Sequence, residues 1–130
     1  AAARKGYLAG AADIIFHPGS YHGQPPEQVY QRAKEKLLEL TGLLRAEGVT
    51  VTLRPETMGK GAMFGTLEEV VRLSKEVPGV APCIDVAHLH ARPGDGSFNS
   101  YEEFAAMLRL VSGPARATVI MSRERAIETG

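Results

Sequence analysis

The sequence has little cysteine, no excess of either charge and no long apolar run, and each shortage excludes a class of protein. Its one cysteine, Cys83, excludes an internal disulfide and fits a reducing compartment, so we expect a cytoplasmic location. No apolar segment approaches the ~18–20 residues that span a bilayer, and Arg4 and Lys5 precede too little apolar sequence for a secretory signal. With 15 basic and 15 acidic residues, the chain has no general attraction for nucleic acid, so such a function would need a local site.

Length and composition indicate one globular domain, which we expect to cover residues 1–130. The apolar fraction of 44% is that of an ordinary folded protein and excludes a disordered or collagen-like chain. A closed (β/α)8 barrel needs ~250 residues. This chain has about half of that number.

Short apolar runs alternate with segments of helical period, which predicts an α/β fold with parallel strands. The runs begin near residues 13, 49, 81 and 117, a spacing of roughly 32 to 36 residues that fits one strand, one helix and two loops. We predict strands within residues 14–16, 49–53, 81–86 and 117–121. The first dozen residues resemble the end of a further helix, so the predicted order is α-β-α-β-α-β-α-β.

Each predicted helix carries an apolar face and a signal for its start or end. Gly48 is placed to end the first helix, and the pairs Thr66–Glu69 and Ser100–Glu103 predict capping boxes at the next two. The three predicted faces consist of Val29, Ala33, Leu37, Leu40 and Leu44; of Val70, Leu73 and Val77; and of Tyr101, Phe104 and Leu108.

Four polar side chains follow three successive strands, at the edge of a parallel sheet where sites are built. His17 follows the first strand, Glu56 follows the second, Asp85 ends the third and His88 lies three residues later. Two imidazoles and two carboxylates are a ligand set for Zn²⁺, or for Mn²⁺ and Fe²⁺. We therefore predict a metal centre at these residues.

Five other residues near this edge are weaker candidates. His22 lies in a Gly- and Pro-rich loop, and His90 follows His88 at alternate spacing, so we expect neither to be a ligand. Cys83 lies inside a strand and is expected to be a small buried apolar residue. Lys60 and Arg92 lie on the same edge and are candidates for contacts with a phosphate or a sugar.

Three motifs in order resemble the endonuclease IV family of apurinic/apyrimidinic (AP) endonucleases. Residues 17–20 read His-Pro-Gly-Ser, residues 54–60 read Arg-Pro-Glu-Thr-Met-Gly-Lys, and residues 83–92 carry an aspartate–histidine motif. Residues 98–104 continue the similarity, which extends over residues 1–112.

The resemblance implies a (β/α)8 barrel with three metal ions, usually zinc, that cuts DNA on the 5′ side of abasic sites. This chain would then hold roughly the middle half of that barrel. By this resemblance His17 binds the first metal, and Glu56 bridges the first and second as the central catalytic residue. Asp85 binds the second metal and His88 binds the third.

The sequence departs from the family pattern at the fourth strand. Thr118 and Ile120 stand where the family has histidines, and neither binds a metal as an imidazole does. The third metal would keep one protein ligand, so we expect the 130-residue chain alone to be inactive on abasic DNA.

Two other functions remain open at this stage. A xylose isomerase-like sugar isomerase or epimerase would also use a glutamate, an Asp-x-x-His pair and one metal, although the His17 motif argues against it. A non-catalytic half barrel would have open sheet edges that invite self-association.

Overall fold

The computed structural model describes residues 2–111 and 117–120. In that part of the chain, short strands alternate with helices, as the sequence predicts. The elements in chain order are α1 (Ala2–Leu8), β1 (Asp13–Phe16), α2 (Pro26–Ala46), β2 (Thr52–Pro55), α3 (Leu67–Glu76), β3 (Cys83–Asp85), α4 (Val86–Ala91), α5 (Tyr101–Val111) and β4 (Thr118–Ile120).

All four of these strands are parallel and lie in chain order. β1 pairs with β2 from Asp13–Thr52 to Phe16–Pro55, and β3 pairs with β4. Parallel bridges at Leu53–Val80 and Glu56–Cys83 join the second strand to the third. The predicted α/β class with parallel strands is confirmed. The strands do not close into a barrel within the described residues, which is consistent with a partial barrel.

Strand boundaries differ from the prediction most clearly at β2. The strand begins at Thr52 rather than at Val49, because the chain is still leaving α2 there. Gly48 adopts a φ of 72°, and the Val49 N–H donates to the Leu44 carbonyl at 2.9 Å, which closes the end of the helix. β3 and β4 are also shorter than predicted, and Met121 lies outside the described residues.

A short helix follows the third strand directly and breaks the predicted simple alternation. α4 begins after Asp85, whose side chain accepts a hydrogen bond from the His88 N–H. This helix of less than two turns therefore begins at an aspartate cap directly after a strand.

The helices α2 and α3 pack on the strands through a common core, and two of the predicted apolar faces are correct in part or in full. Val70, Leu73 and Val77 of the α3 region are buried, as predicted. In α2 the buried positions are Tyr30, Leu37 and Leu44, seven residues apart. The prediction for Leu40 is wrong, since it is 38% exposed and lies at the rim of this face.

The predicted face of α5 is wrong at two of its three positions. Tyr101 is 82% exposed and Leu108 is 42% exposed. Met107 and Val111 are buried instead, and Phe104 packs against them from a half-buried position. The helix is rotated so that Phe104, Met107 and Val111 form its core stripe, spaced by three and four residues.

The capping box predicted at Thr66–Glu69 is present, and at Ser100–Glu103 the bond to the serine hydroxyl is present. The Glu69 N–H donates to the Thr66 hydroxyl at 3.1 Å, and the Thr66 N–H donates to the Glu69 carboxylate at 2.9 Å. The Glu103 N–H donates to the Ser100 hydroxyl at 3.2 Å. No helix among the described residues is both long and apolar enough to cross a membrane.

An ion-pair network joins α2 to α3 on the outer surface. Lys34 lies 2.7 Å from the Glu76 carboxylate, and Arg72 lies 2.8 Å from both Glu76 and Glu27. The Arg72 guanidinium also stacks over the Tyr30 ring at 3.8 Å. Hydrogen bonds from Lys34 and then Arg72 lower the pKa of Glu76 from 4.5 to about 2.

This lowered pKa predicts a pH-dependent contribution of Glu76 to stability. The contribution is fully present above the unfolded-state pKa and is lost as the pH falls towards about 2. We expect Glu76→Gln to lower the free energy of unfolding at neutral pH and to converge with the wild type in strong acid. Denaturant unfolding across the pH range measures this difference. Glu39→Gln, an exposed substitution in α2, is the control, and a Glu76→Gln effect independent of pH would contradict the prediction.

Candidate metal centre

The ends of β2 and β3 bury two carboxylates beside each other. The Glu56 N–H donates to the Phe16 carbonyl at 3.0 Å, and the residue bridges to Cys83 of the next strand. Glu56 is 6% exposed and Asp85 is fully buried. Because these strands are parallel, their carboxyl ends bring the two side chains to one edge of the sheet.

The short helix α4 adds an imidazole to this pair. His88 Nδ1 lies 3.4 Å from Asp85 Oδ2 and 3.6 Å from Glu56 Oε1. The ligand atoms that Glu56, Asp85 and His88 offer all lie within 4.8 Å of one another. They form a possible metal site, with two of its members buried and the third half-buried.

A second imidazole approaches Glu56 from the end of β1. His17 Nε2 lies 3.0 Å from Glu56 Oε2, and the His17 side chain is 61% exposed. The structure thus brings together all four of the residues predicted as ligands. Glu56 lies between the two histidines, with a different carboxylate oxygen towards each.

The electrostatics of the cluster favour a cation. Burial raises the pKa of the Glu56 carboxyl above 4.5, and its hydrogen bond with Asp85 raises it further, while His17 and His88 oppose the shift. Two buried carboxylates in contact cannot both be charged without a compensating positive charge. Two oxygen ligands and an imidazole suit a divalent ion of the Zn²⁺, Mn²⁺ or Fe²⁺ type. The residues present therefore fit such an ion.

The fourth strand supplies no imidazole at this edge within the described residues. Ile120 pairs in register with Asp85, and Thr118 pairs with Cys83. Residues in register on parallel strands lie on the same face of the sheet, so an isoleucine stands beside the buried aspartate.

The weaker candidates lie away from the cluster or are buried. His22 is exposed with a φ of 52°, and exposed His90 lies with Nδ1 2.9 Å from the Ser97 carbonyl oxygen. Cys83 is fully buried, as predicted, and burial raises the pKa of its thiol to about 11. Lys60 is exposed in the loop between β2 and α3.

The Arg92 side chain is hydrogen-bonded to the loop between β2 and α3. The sequence alone does not predict these contacts. The Arg92 guanidinium donates to the carbonyls of Met58, Lys60 and Met63 at 3.2, 3.2 and 2.8 Å. It also donates to the Tyr21 hydroxyl at 3.2 Å. The side chain braces this loop, and its contact with substrate stays a prediction.

Tyr21 extends this brace to the start of α3. Its hydroxyl donates to the Glu69 carboxylate at 2.6 Å, and the same carboxylate accepts from the N–H groups of the capping box. Burial and then this hydrogen bond raise the pKa of Tyr21 to about 12. Three loops at the carboxyl edge are therefore tied together by a tyrosine and an arginine.

Sequence reasoning also missed Thr57, which is fully buried between the ends of β2 and β3. Its hydroxyl lies 2.8 Å from the Asp85 nitrogen, and its carbonyl oxygen lies 2.7 Å from His88 Nδ1. The one signal available was its position directly after Glu56, since a polar residue that close to a buried ligand needs partners.

A family model described as xylose isomerase-like TIM barrel matches residues 7–119. The chain belongs to this family. The match confirms the fold class predicted from the alternation of strands and helices, and it covers His17, Glu56, Asp85 and His88.

Individual relatives match part of the chain at low identity. An uncharacterised protein of Methanocaldococcus jannaschii is 37% identical over 99 residues, which are 76% of this chain and 36% of that protein. Proteins named probable endonuclease 4 from Staphylococcus saprophyticus and a Geobacillus species are 34% and 33% identical over 104 residues, which are 76% of this chain and 32% of each. These relatives confirm the resemblance to endonuclease IV. The chain spans about a third of the length of the curated relatives it matches.

The brace around Arg92 predicts a local effect of its removal. We expect Arg92→Met to raise the amide exchange rates of Met63 and Phe64 severalfold, because three carbonyls of their loop lose a donor. Exchange at Leu73 in the core of α3 should stay unchanged. Arg45→Met, an exposed substitution in α2, is the control, and unchanged exchange at Met63 and Phe64 would show that the loop does not depend on Arg92.

Proposed function

We propose that this chain carries the metal-binding part of an endonuclease 4-type hydrolase that cuts DNA on the 5′ side of abasic sites in base excision repair. The observation that carries the proposal is the position of Glu56 between two imidazoles. Its Oε2 faces His17 at 3.0 Å and its Oε1 faces His88 at 3.6 Å. A carboxylate that presents each oxygen to a different ligand is arranged to bridge two ions.

Zinc is the ion we propose for this centre, with manganese or iron as alternatives. His17 and Glu56 would hold one ion, Glu56 and Asp85 a second, and His88 would contribute to a third. Paired divalent ions, when bound, stabilise the negative charge of a phosphodiester undergoing displacement and activate water near neutral pH.

The remaining residues of the edge would bind the substrate. Lys60 is exposed in the loop between β2 and α3 and would supply a positive charge for a DNA phosphate. Arg92 would act by holding the loop that carries Lys60, with a direct sugar or phosphate contact as the further prediction from the sequence. DNA containing abasic sites is the partner we propose.

Metal titration tests the site directly. We expect the wild-type chain to bind Co²⁺, a spectroscopic substitute for zinc, and Glu56→Gln, Asp85→Asn and His88→Gln each to lower the affinity at least ~10-fold. His22→Gln is the matched control, because His22 is exposed and lies outside the cluster. A wild-type chain without affinity for Co²⁺, Zn²⁺, Mn²⁺ or Fe²⁺ would overturn the proposed function.

A one-metal sugar isomerase or epimerase is the second candidate, and the cluster of Glu56, Asp85 and His88 favours it. These three residues alone could hold one ion without His17. Metal stoichiometry separates the two functions. We expect His17→Gln to lower the number of ions bound per chain if the site is that of a nuclease, and to leave a single ion in place if it is that of an isomerase.

Incision of abasic DNA is the decisive activity assay. We expect the 130-residue chain alone to leave an abasic duplex intact, since Ile120 replaces an imidazole beside Asp85. A longer natural protein that contains these residues should incise the duplex on the 5′ side of the lesion in a metal-dependent reaction that Glu56→Gln abolishes. Incision that resists chelation and Glu56→Gln would contradict the assignment.

Self-association of this chain and a cytoplasmic location stay predictions. Ile15 in the middle of β1 is 46% exposed, so the sheet has apolar surface that a second copy could cover. The molecular mass in solution measures this association, and a monomer with one cooperative melting transition would contradict it.

A further inference from the structure

We propose that Thr57 is a positioning residue of the metal centre, which sets Asp85 and His88 against Glu56. The inference rests on the proposed function in one respect, that Glu56, Asp85 and His88 hold a divalent ion. Thr57 is not one of the ligand-type residues of the cluster. It directly follows Glu56 in the chain and hydrogen-bonds to both Asp85 and His88.

The main chain of Thr57 connects the ends of the two central strands. Its N–H donates to the Cys83 carbonyl at 3.0 Å. Because Cys83 is two residues before Asp85, this bond fixes the register of the strand ends that carry Glu56 and Asp85. The separation of the two carboxylates therefore depends on a main-chain contact that the residue after Glu56 makes.

The side chain of Thr57 holds the main chain of Asp85 from both sides. The Asp85 N–H donates to Thr57 Oγ1 at 2.8 Å, and Thr57 Oγ1 donates to the Asp85 carbonyl at 3.3 Å. A hydroxyl can accept and donate at once, which a methyl group cannot do. All of these atoms are buried, so water does not replace the bonds if the hydroxyl is removed.

The carbonyl of Thr57 holds the ring of His88. The oxygen lies 2.7 Å from His88 Nδ1 and can only accept, so Nδ1 carries the proton of this hydrogen bond. Nδ1 is also the ring nitrogen that lies 3.4 Å from Asp85 Oδ2. The bond to Thr57 fixes the orientation and the tautomer of the ring, so that Nε2 is the nitrogen without a proton in the neutral form. This is the role that carbonyls next to metal-binding histidines play in general.

Removal of the hydroxyl alone separates positioning from ligation. In Thr57→Val the volume and the main-chain contacts stay nearly constant, while the Asp85 N–H loses its acceptor. We expect the fold to be retained and the amide of Asp85 to exchange at least ~10-fold faster, the ratio that ~1.4 kcal/mol of lost protection gives. The affinity for Co²⁺ should fall by ~10–100-fold, the effect typical of residues that orient metal ligands.

Two further variants make the comparison specific. Thr57→Ser keeps the hydroxyl and should restore both the protection of Asp85 and the affinity for Co²⁺ to near the wild-type values. Thr41→Val is the matched control, because the Thr41 hydroxyl donates to the Leu37 carbonyl at 2.8 Å within α2, away from the cluster. We expect it to leave both measurements unchanged.

Exchange and metal titration together give an answer in every case. Co²⁺ affinity in Thr57→Val equal to that of the wild type would overturn the positioning role and leave the proposed function standing. If the wild type binds no divalent metal, the proposed function fails. The role of Thr57 is then tested in the metal-free protein, by the amide exchange of Asp85 and by the tautomer of His88. In that case unchanged exchange at Asp85, or a neutral His88 ring that carries its proton on Nε2 by ¹⁵N NMR, would overturn the positioning of Asp85 and His88.

Discussion

The repulsion between two buried carboxylates governs the rest of this structure. Glu56 and Asp85 are buried at the ends of neighbouring strands, where two negative charges repel more strongly than they would in water. Two imidazoles lie beside this pair, those of His17 and His88, and each favours negative charge on Glu56. A divalent cation fits this arrangement, because its charge would neutralise both carboxylates.

The parallel sheet is the means by which the chain brings these groups together. Residues 39 positions apart in sequence, His17 and Glu56, come within 3.0 Å because each directly follows a strand of the same sheet. Helices on the outer side hold the strands through a core that includes Leu53, Leu73 and Val77. The loops at the carboxyl edge contribute Phe64 and Tyr21 to this core, and polar contacts of Arg92 and Tyr21 order them further.

The sequence predicts the parts of this fold that depend on side-chain pattern. Strand order, the caps at Thr66 and Ser100 and the convergence of four ligand-type residues all follow from spacing, since regular backbone repeats at fixed periods. The turn of α4 and the bonds of Thr57 do not follow from it, because main-chain carbonyls carry no signature in a sequence. The face of α5 is mispredicted for a related reason: Tyr101 and Met107 are both apolar, and only the packing against Ile84 decides which is buried.

The choice between a nuclease and an isomerase depends on the residues that β1 and β4 place beside Glu56 and Asp85. On the β1 side, His17 makes the glutamate a residue with two imidazole neighbours, which one-metal chemistry does not require. On the β4 side, Ile120 faces the same way as Asp85 and supplies neither charge nor ligand. Under the proposed function, a cluster of ligand-type residues from three strands with an apolar residue on the fourth favours a pair of ions at Glu56 over three equally held ions. Under the same proposal a third ion would depend on groups beyond the described strands, so the proposed chemistry would centre on Glu56 rather than on His88.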